Sequence, residues 1–146
     1  MPGILVGIDG SDHASRALEW AMKMAAALQV PLTVLAVHQV AFSHWTGNPI
    51  VLPEDRTAQE AARQAAEKAV AETAARLGRS GPAPVTVLAV SGSAPARELI
   101  EASRDADLLV VGARGGGGFA SLMLGSTSSQ VVHHAHCQVV VMPHDG

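Results

Sequence analysis

The sequence contains no tyrosine, two phenylalanines, two tryptophans, one cysteine and only two lysines, Lys23 and Lys68. Each scarcity excludes something. Cys137 alone cannot form an internal disulfide framework, which fits a reducing compartment. Nucleic-acid binding draws most of its affinity from clustered Lys and Arg on phosphates, with aromatic rings for stacking. Ten Lys and Arg stand against thirteen Asp and Glu, a formal charge of −3, and no basic cluster occurs. Neither nucleic acid nor an anionic membrane surface is therefore an expected partner. A small anionic ligand stays compatible, held by backbone groups and a metal rather than by lysines. Long apolar runs are missing too. A bilayer span takes about 20 nearly uninterrupted apolar residues, and the richest stretch, Met24 to Val37, is cut by Gln29 and Pro31. No basic segment precedes the first apolar run, so no secretory signal is expected and the chain reads as cytoplasmic.

Hydrophobic side chains make up 48% of the 146 residues and charged ones 16%, too apolar for a disordered chain. The length suits one domain, 1–146, with a sizeable core. Short β-branched runs alternate with longer alanine-rich segments. Ile4–Asp9 reads as a buried strand. Ser11 or Asp12 then caps a helix in which Ala17, Leu18, Ala21, Met22, Ala25 and Leu28 recur at helical spacing. Leu32–Val37 is the second strand, and Gln39 to Pro53, with Trp45, Gly47 and two prolines, reads as a loop. Glu54 to Leu77 reads as a long helix with Ala58, Ala61, Ala62, Ala65, Ala69 and Val70 on one face, stopped by Gly78. Val85–Val90, the short helix Ala94–Ser103, Asp107–Val111, the helix Ser126–Ala135 and Gln138–Met142 complete a βαβαβαβαβ order.

The strands are continuous Val, Leu and Ile runs, so helices should cover both faces. The expected fold is α/β and Rossmann-like: a doubly wound, five-stranded parallel sheet in order 3-2-1-4-5 with four helices. Pro31–Val37 and Pro84–Val90 look alike. An internal duplication would explain this, as would two central strands under the same constraints. Ligands of such sheets bind beyond the strand carboxyl ends, where strand order reverses. The places to inspect follow Asp9, Val37, Val90 and Gly112.

Gly112–Gly118 leaves a strand with Arg114 as its one cation, and the chain reaches Gly125, Ser126, Thr127 and Ser128 at a helix start. Glycines permit positive φ and leave N–H groups uncovered, while a helix N-terminus and hydroxyls add donors. Such a cradle can hold a polyphosphate without lysine; a surface loop followed by a serine cap would look the same. A Walker A loop is excluded, since no Gly-Lys pair occurs. The dinucleotide pattern formally fits Gly115–Ala120, but Leu124 and Gly125 intervene before the helix and one strand remains after it. That match is chance.

The pattern G-x2-G-x9-G-(S/T) is met without a gap by Gly112, Gly115, Gly125 and Ser126. Here the chain resembles the ATP-binding branch of the universal stress protein family. Val6–Ala21 is similar to that family's first strand, turn and helix, Ala94–Gly112 to its third helix and fourth strand, and Leu124–Pro143 to its last helix and strand. The almost all-alanine face of the second helix and the 39–53 loop with Trp45 depart from the family pattern. The resemblance implies ATP or another adenine nucleotide at the switch point. It places Asp9 near the ribose or the phosphate-bound Mg²⁺ or Mn²⁺, with Gly7 and Ile8 lining the pocket. It has Val37 contact the base through its backbone, Val111 and Gly112 close over the nucleotide, and Gly115, Gly125, Ser126, Thr127 and Ser128 take the phosphates. A turn-capping carboxylate is the alternative role for Asp9, and the two roles can coexist.

Other constellations are weaker. His133, His134 and His136 lie close together without an acidic or cysteine partner at ligand spacing, and suit a helix C-terminus. Cys137 reads as a small buried hydrophobe. A hydrolase triad from a serine, His13 and Asp9 lacks its G-x-S-x-G turn, although His13 could touch phosphates. The expected function is a nucleotide-binding stress-response regulator acting as a homodimer, pairing through the C-terminal strand 138–142, with an unknown protein partner. Two rivals stay open: an interaction protein of the same fold without nucleotide, and a slow ATP hydrolase or nucleotidyl-transferring enzyme. No catalytic residue stands out, because no lysine or positioned base faces a γ-phosphate.

Overall fold

The computed structural model describes residues 3–8, 12–78, 84–113 and 126–143, with backbone only for 12–15, 42 and 126. Five strands form one sheet: β1 (Ile4–Ile8), β2 (Leu32–Gln39), β5 (Val85–Gly92), β6 (Leu108–Gly112) and β7 (Gln138–Met142). The helices are α1 (Asp12–Leu28), α2 (Pro53–Leu77), α3 (Pro95–Ala102) and α4 (Ser126–His134), with a 3-10 turn at Ser103–Asp105. The sheet is parallel throughout, in order β5-β2-β1-β6-β7. Counted among the five long strands alone, that is the expected 3-2-1-4-5. The two look-alike segments are neighbours in register, from Leu32↔Val85 to Val37↔Val90.

Both faces of the sheet are apolar and covered, except on the edge strand β5, where Thr86 and Leu88 are exposed. Ile4, Val6, Leu32, Val34, Ala36 and Val110 pack against α1 and α2. Leu5, Leu35, Leu109 and Val111 pack on the opposite side with Ala96 and Leu99 of α3 and Val131 of α4. Full burial of such a side chain is worth about 1.5–3 kcal/mol, so these two layers supply the cohesion of the fold. On α1 the expected stripe is buried except for Leu28, which is 57% exposed on the last turn.

Three local differences have physical causes. The 39–53 segment is not a plain loop: β3 (Ala41–Phe42) and β4 (Pro49–Ile50) form a small antiparallel hairpin. Its strands are too short to leave an alternating pattern in sequence. On α2 the docked face is Ala62, Ala66, Ala69, Val70, Thr73, Ala74 and Leu77, whereas Ala61 and Ala65 point outward. With alanine on nearly every side, the helix has no readable apolar period. Finally, β2 and β5 run on together to Gln39↔Gly92. The end of α2 is as expected, with Gly78 at φ 64° donating to Ala75 O at 3.2 Å.

Candidate functional site

Strand order reverses between β1 and β6, and there the ladders separate. β1 pairs with β6 only over Ile4–Val6 against Leu108–Val110. On the outer sides, β1 stays paired with β2 to Ile8↔Ala36, and β6 with β7 to Gly112↔Met142. Gly7 and Ile8 therefore diverge from Val111 and Gly112, opening a cleft at the carboxyl edge. Open α/β sheets bind ligands at such a point.

The expected residues fall around this cleft unevenly. Gly7, Ile8, Val111 and Gly112 are the residues of the two strands beyond the end of that pairing. Gly7 also has a packing duty: a Cβ there would lie 2.7 Å from Leu99 Cδ2, so its lack of a side chain lets α3 approach β1. Val37 is not the last residue of its strand, yet its backbone is well placed. Leu32 N–H donates to Pro84 O and Val40 N–H to Gly92 O, so even-numbered residues of β2 turn their backbone groups toward β5. Odd-numbered ones, Val37 included, face β1, whose ladder with β2 stops at Ile8↔Ala36.

Ser126 opens α4, and Thr127 is half-buried in its first turn. Ser128 has a buried duty: its hydroxyl, 2% exposed, donates to Ala113 O at 2.7 Å and ties α4 to the end of β6. Ala113 N–H in turn donates to Met142 O at 2.9 Å. Asp9, Gly115 and Gly125 lie outside the described residues, as do the hydroxyl of Ser126 and the side chain of His13.

Sequence reasoning missed a polar cluster at the neighbouring corner. His38 Nε2 and Asp55 Oδ1 are 2.9 Å apart, and Asp55 Oδ2 accepts from Leu52 N–H at 2.8 Å. The Leu52 amide first, then His38, hold the Asp55 carboxyl below its ordinary value. One turn on, Gln59 Nε2 donates to Ala89 O at 2.9 Å and Gln59 Oε1 accepts from Ser91 Oγ at 2.6 Å. These bonds pin the start of α2 to the ends of β2 and β5. A histidine and an aspartate bracketing the 39–53 segment were the available signal.

Of the remaining candidates, His133, His134 and His136 are exposed, and His133 Nδ1 lies 2.8 Å from Ser129 O. Among the described residues no group of three His, Cys, Asp or Glu side chains gathers as a metal site. Cys137 is half-buried rather than buried, packed beside the second core layer. Burial, with the nearby Asp107 charge, raises its thiol pKa, which disfavours the thiolate. No helix among the described residues is long and apolar enough to cross a membrane.

Comparison with known proteins places this architecture. The family model for the universal stress protein family matches residues 2–143. A universal stress protein of Mycolicibacterium smegmatis is 35% identical over 143 residues, 98% of this chain and 48% of that protein. The chain thus spans about half the length of the curated relatives it matches. Among solved structures, the universal stress protein UspA from Lactobacillus plantarum superposes with a TM-score of 0.74 at 28% identity, covering 97% of both chains. A universal stress protein solved in complex with cAMP gives 0.68 at 26% identity, covering 97% of this chain and 96% of that one. By sequence over almost its whole length, and by the fold just described, this chain belongs to the universal stress protein family.

Proposed function

We propose that this chain binds an adenine nucleotide across the carboxyl edge of its sheet and acts as a nucleotide-dependent stress-response regulator. The observation that carries the reading is the parting of β1 from β6 beyond Val6↔Val110. It sits beside Gly112, from which the G-x2-G-x9-G-(S/T) pattern runs in sequence to the start of α4. That a relative at 26% identity was solved with cAMP supports the ligand class. In this reading Gly115, Gly125, Ser126 and Thr127 hold the phosphates, Asp9 stands at the ribose or the phosphate-bound cation, and Val37 meets the base with its backbone. Ser128, whose hydroxyl donates to Ala113 O, stands beside them and braces the start of α4.

The described residues supply no metal cluster of their own. A Mg²⁺ or Mn²⁺ ion would be held by the phosphate oxygens with Asp9, offsetting the repulsion between triphosphate and carboxylate in a chain of net charge −3. The chain's own part is binding and orientation: uncovered N–H groups and a helix N-terminus face the phosphates, and glycines permit the close approach. A homodimer through β7 belongs to the same proposal. A further protein partner is the second reading, favoured by Trp45, which is 99% exposed at the hairpin and followed by exposed Ile50, Val51 and Leu52.

Calorimetric titration with Mg-ATP, ADP, AMP and cAMP tests the reading. Binding at or below micromolar concentration is expected, weakened by chelator in the wild type and less so in Asp9→Ala. Absence of binding, by protein free of carried-over nucleotide, overturns it.

A further inference from the structure

We propose that Glu98 makes this site select a base carrying an exocyclic amino group, the donor that distinguishes adenine from hypoxanthine; the inference rests on the nucleotide reading above. Glu98 is half-buried in the first turn of α3. Its carboxylate has no hydrogen-bond or ion-pair partner among the described residues. Glu19, Glu60, Glu67, Glu72 and Glu101 each meet a Lys or Arg. The Glu98 carboxylate reaches solvent and is therefore open to a donor brought by a ligand.

Its position says which donor. The side chain folds over the end of β5: a Cβ on Gly92 would lie 2.8 Å from Glu98 Cδ, Cγ and Oε2. The adjacent Leu99 lies over Gly7 of β1. Because β2 stands between β5 and β1, α3 straddles the end of β2 with Glu98 on one side and Leu99 on the other. Gly7 is level with Leu35 and Gly92 with Gln39, so Val37 lies between them along the strand as well. Neighbouring strands are about 4.8 Å apart, so the path from β6 over β1 and β2 to β5 is about 14 Å. A nucleotide with phosphates at Gly112 and α4 therefore brings its base to Val37, with Glu98 at the far rim. A carboxylate there accepts from an amino group on the base edge and repels a carbonyl in the same place. An acid in the first turn of α3 also suits the helix dipole, but that role is indifferent to the base.

The test compares Mg-ATP with Mg-ITP, in which a carbonyl replaces the amino group and the neighbouring N1 becomes a donor, on wild type, Glu98→Gln and Gly92→Ala. Wild type is expected to prefer ATP by about tenfold or more, the range of one hydrogen bond to a charged group. Glu98→Gln, whose amide can turn donor or acceptor to the base, should reduce the preference to about threefold or less. Gly92→Ala keeps the charge but pushes the carboxylate aside, and should reduce it too. An unchanged ATP-to-ITP ratio in Glu98→Gln, with ATP still bound, overturns the inference and leaves the nucleotide reading standing. A ratio lost in Glu98→Gln but kept in Gly92→Ala overturns the placement over Gly92. Wild type binding neither nucleotide overturns both readings.

Discussion

His38 and Asp55 meet at 2.9 Å across the neck of the hairpin excursion, one as β2 ends and the other as α2 begins. The contact closes the 39–53 segment at its base, while the second Asp55 oxygen accepts from Leu52 N–H. A folded-state carboxyl pKa below its unfolded value adds stability that is present above the unfolded pKa and lost as pH falls through the folded one. The wild type should therefore lose part of its stability on acidification below about pH 4, the ordinary range of an aspartate. Asp55→Asn should flatten that part of the curve. Thermal melts of both proteins between neutral pH and pH 3 check it; parallel curves contradict it.

Gly7 and Leu99 form a size-matched pair. Gly7→Ala places a methyl group 2.7 Å from Leu99 Cδ2, and overpacking of this kind costs about 1–3 kcal/mol. Leu99→Ala alone removes a buried side chain, at about 2–5 kcal/mol. Combined, the two changes should cost clearly less than their sum, since the new methyl enters the space the leucine leaves. Urea unfolding of the four proteins measures the coupling, and strict additivity would contradict the contact.

Ser128→Ala removes the buried donor to Ala113 O. Leaving such a carbonyl short of its partner costs about 1–3 kcal/mol. The melting temperature should fall, and Mg-ATP affinity should fall with it as the start of α4 loosens from β6. A stability loss without any change in affinity would detach Ser128 from the site.

At the sheet edge the side chains of β7 are already committed inward: Val140 packs with the first core layer, Val139 and Val141 with the second. A lysine at Val140 would disturb the monomer itself. The backbone offers a cleaner probe. Ala113 N–H donates to Met142 O, so even-numbered residues of β7 face β6 and Val141 turns its N–H to the open edge. Val141→Pro removes that donor without breaking the ladder to β6. If copies pair across β7, light scattering should show a dimer in the wild type and a monomer in the folded variant. A wild-type mass near 15 kDa at tens of micromolar excludes this dimer.

The sequence by itself determined the parallel sheet. Apolar runs such as Ile4–Ile8 and Leu108–Gly112 are buried on both faces, a pattern only helices on both sides can satisfy, and Gln138–Met142 was delimited to the residue. Local chemistry also set the stop at Gly78, where φ is 64°. Tertiary structure decided the rest, because it depended on what lies opposite. Alanines at 58, 61, 62, 65, 66 and 69 leave α2 without a preferred face; docking through Asp55 and Gln59 to β2 and β5 picked Ala62 and Ala66. Gly7 and Gly92 were legible as glycines, but that Leu99 and Glu98 lie over them follows from strand order. Residues distant in sequence became neighbours through the crossovers, and no local period encodes such a meeting.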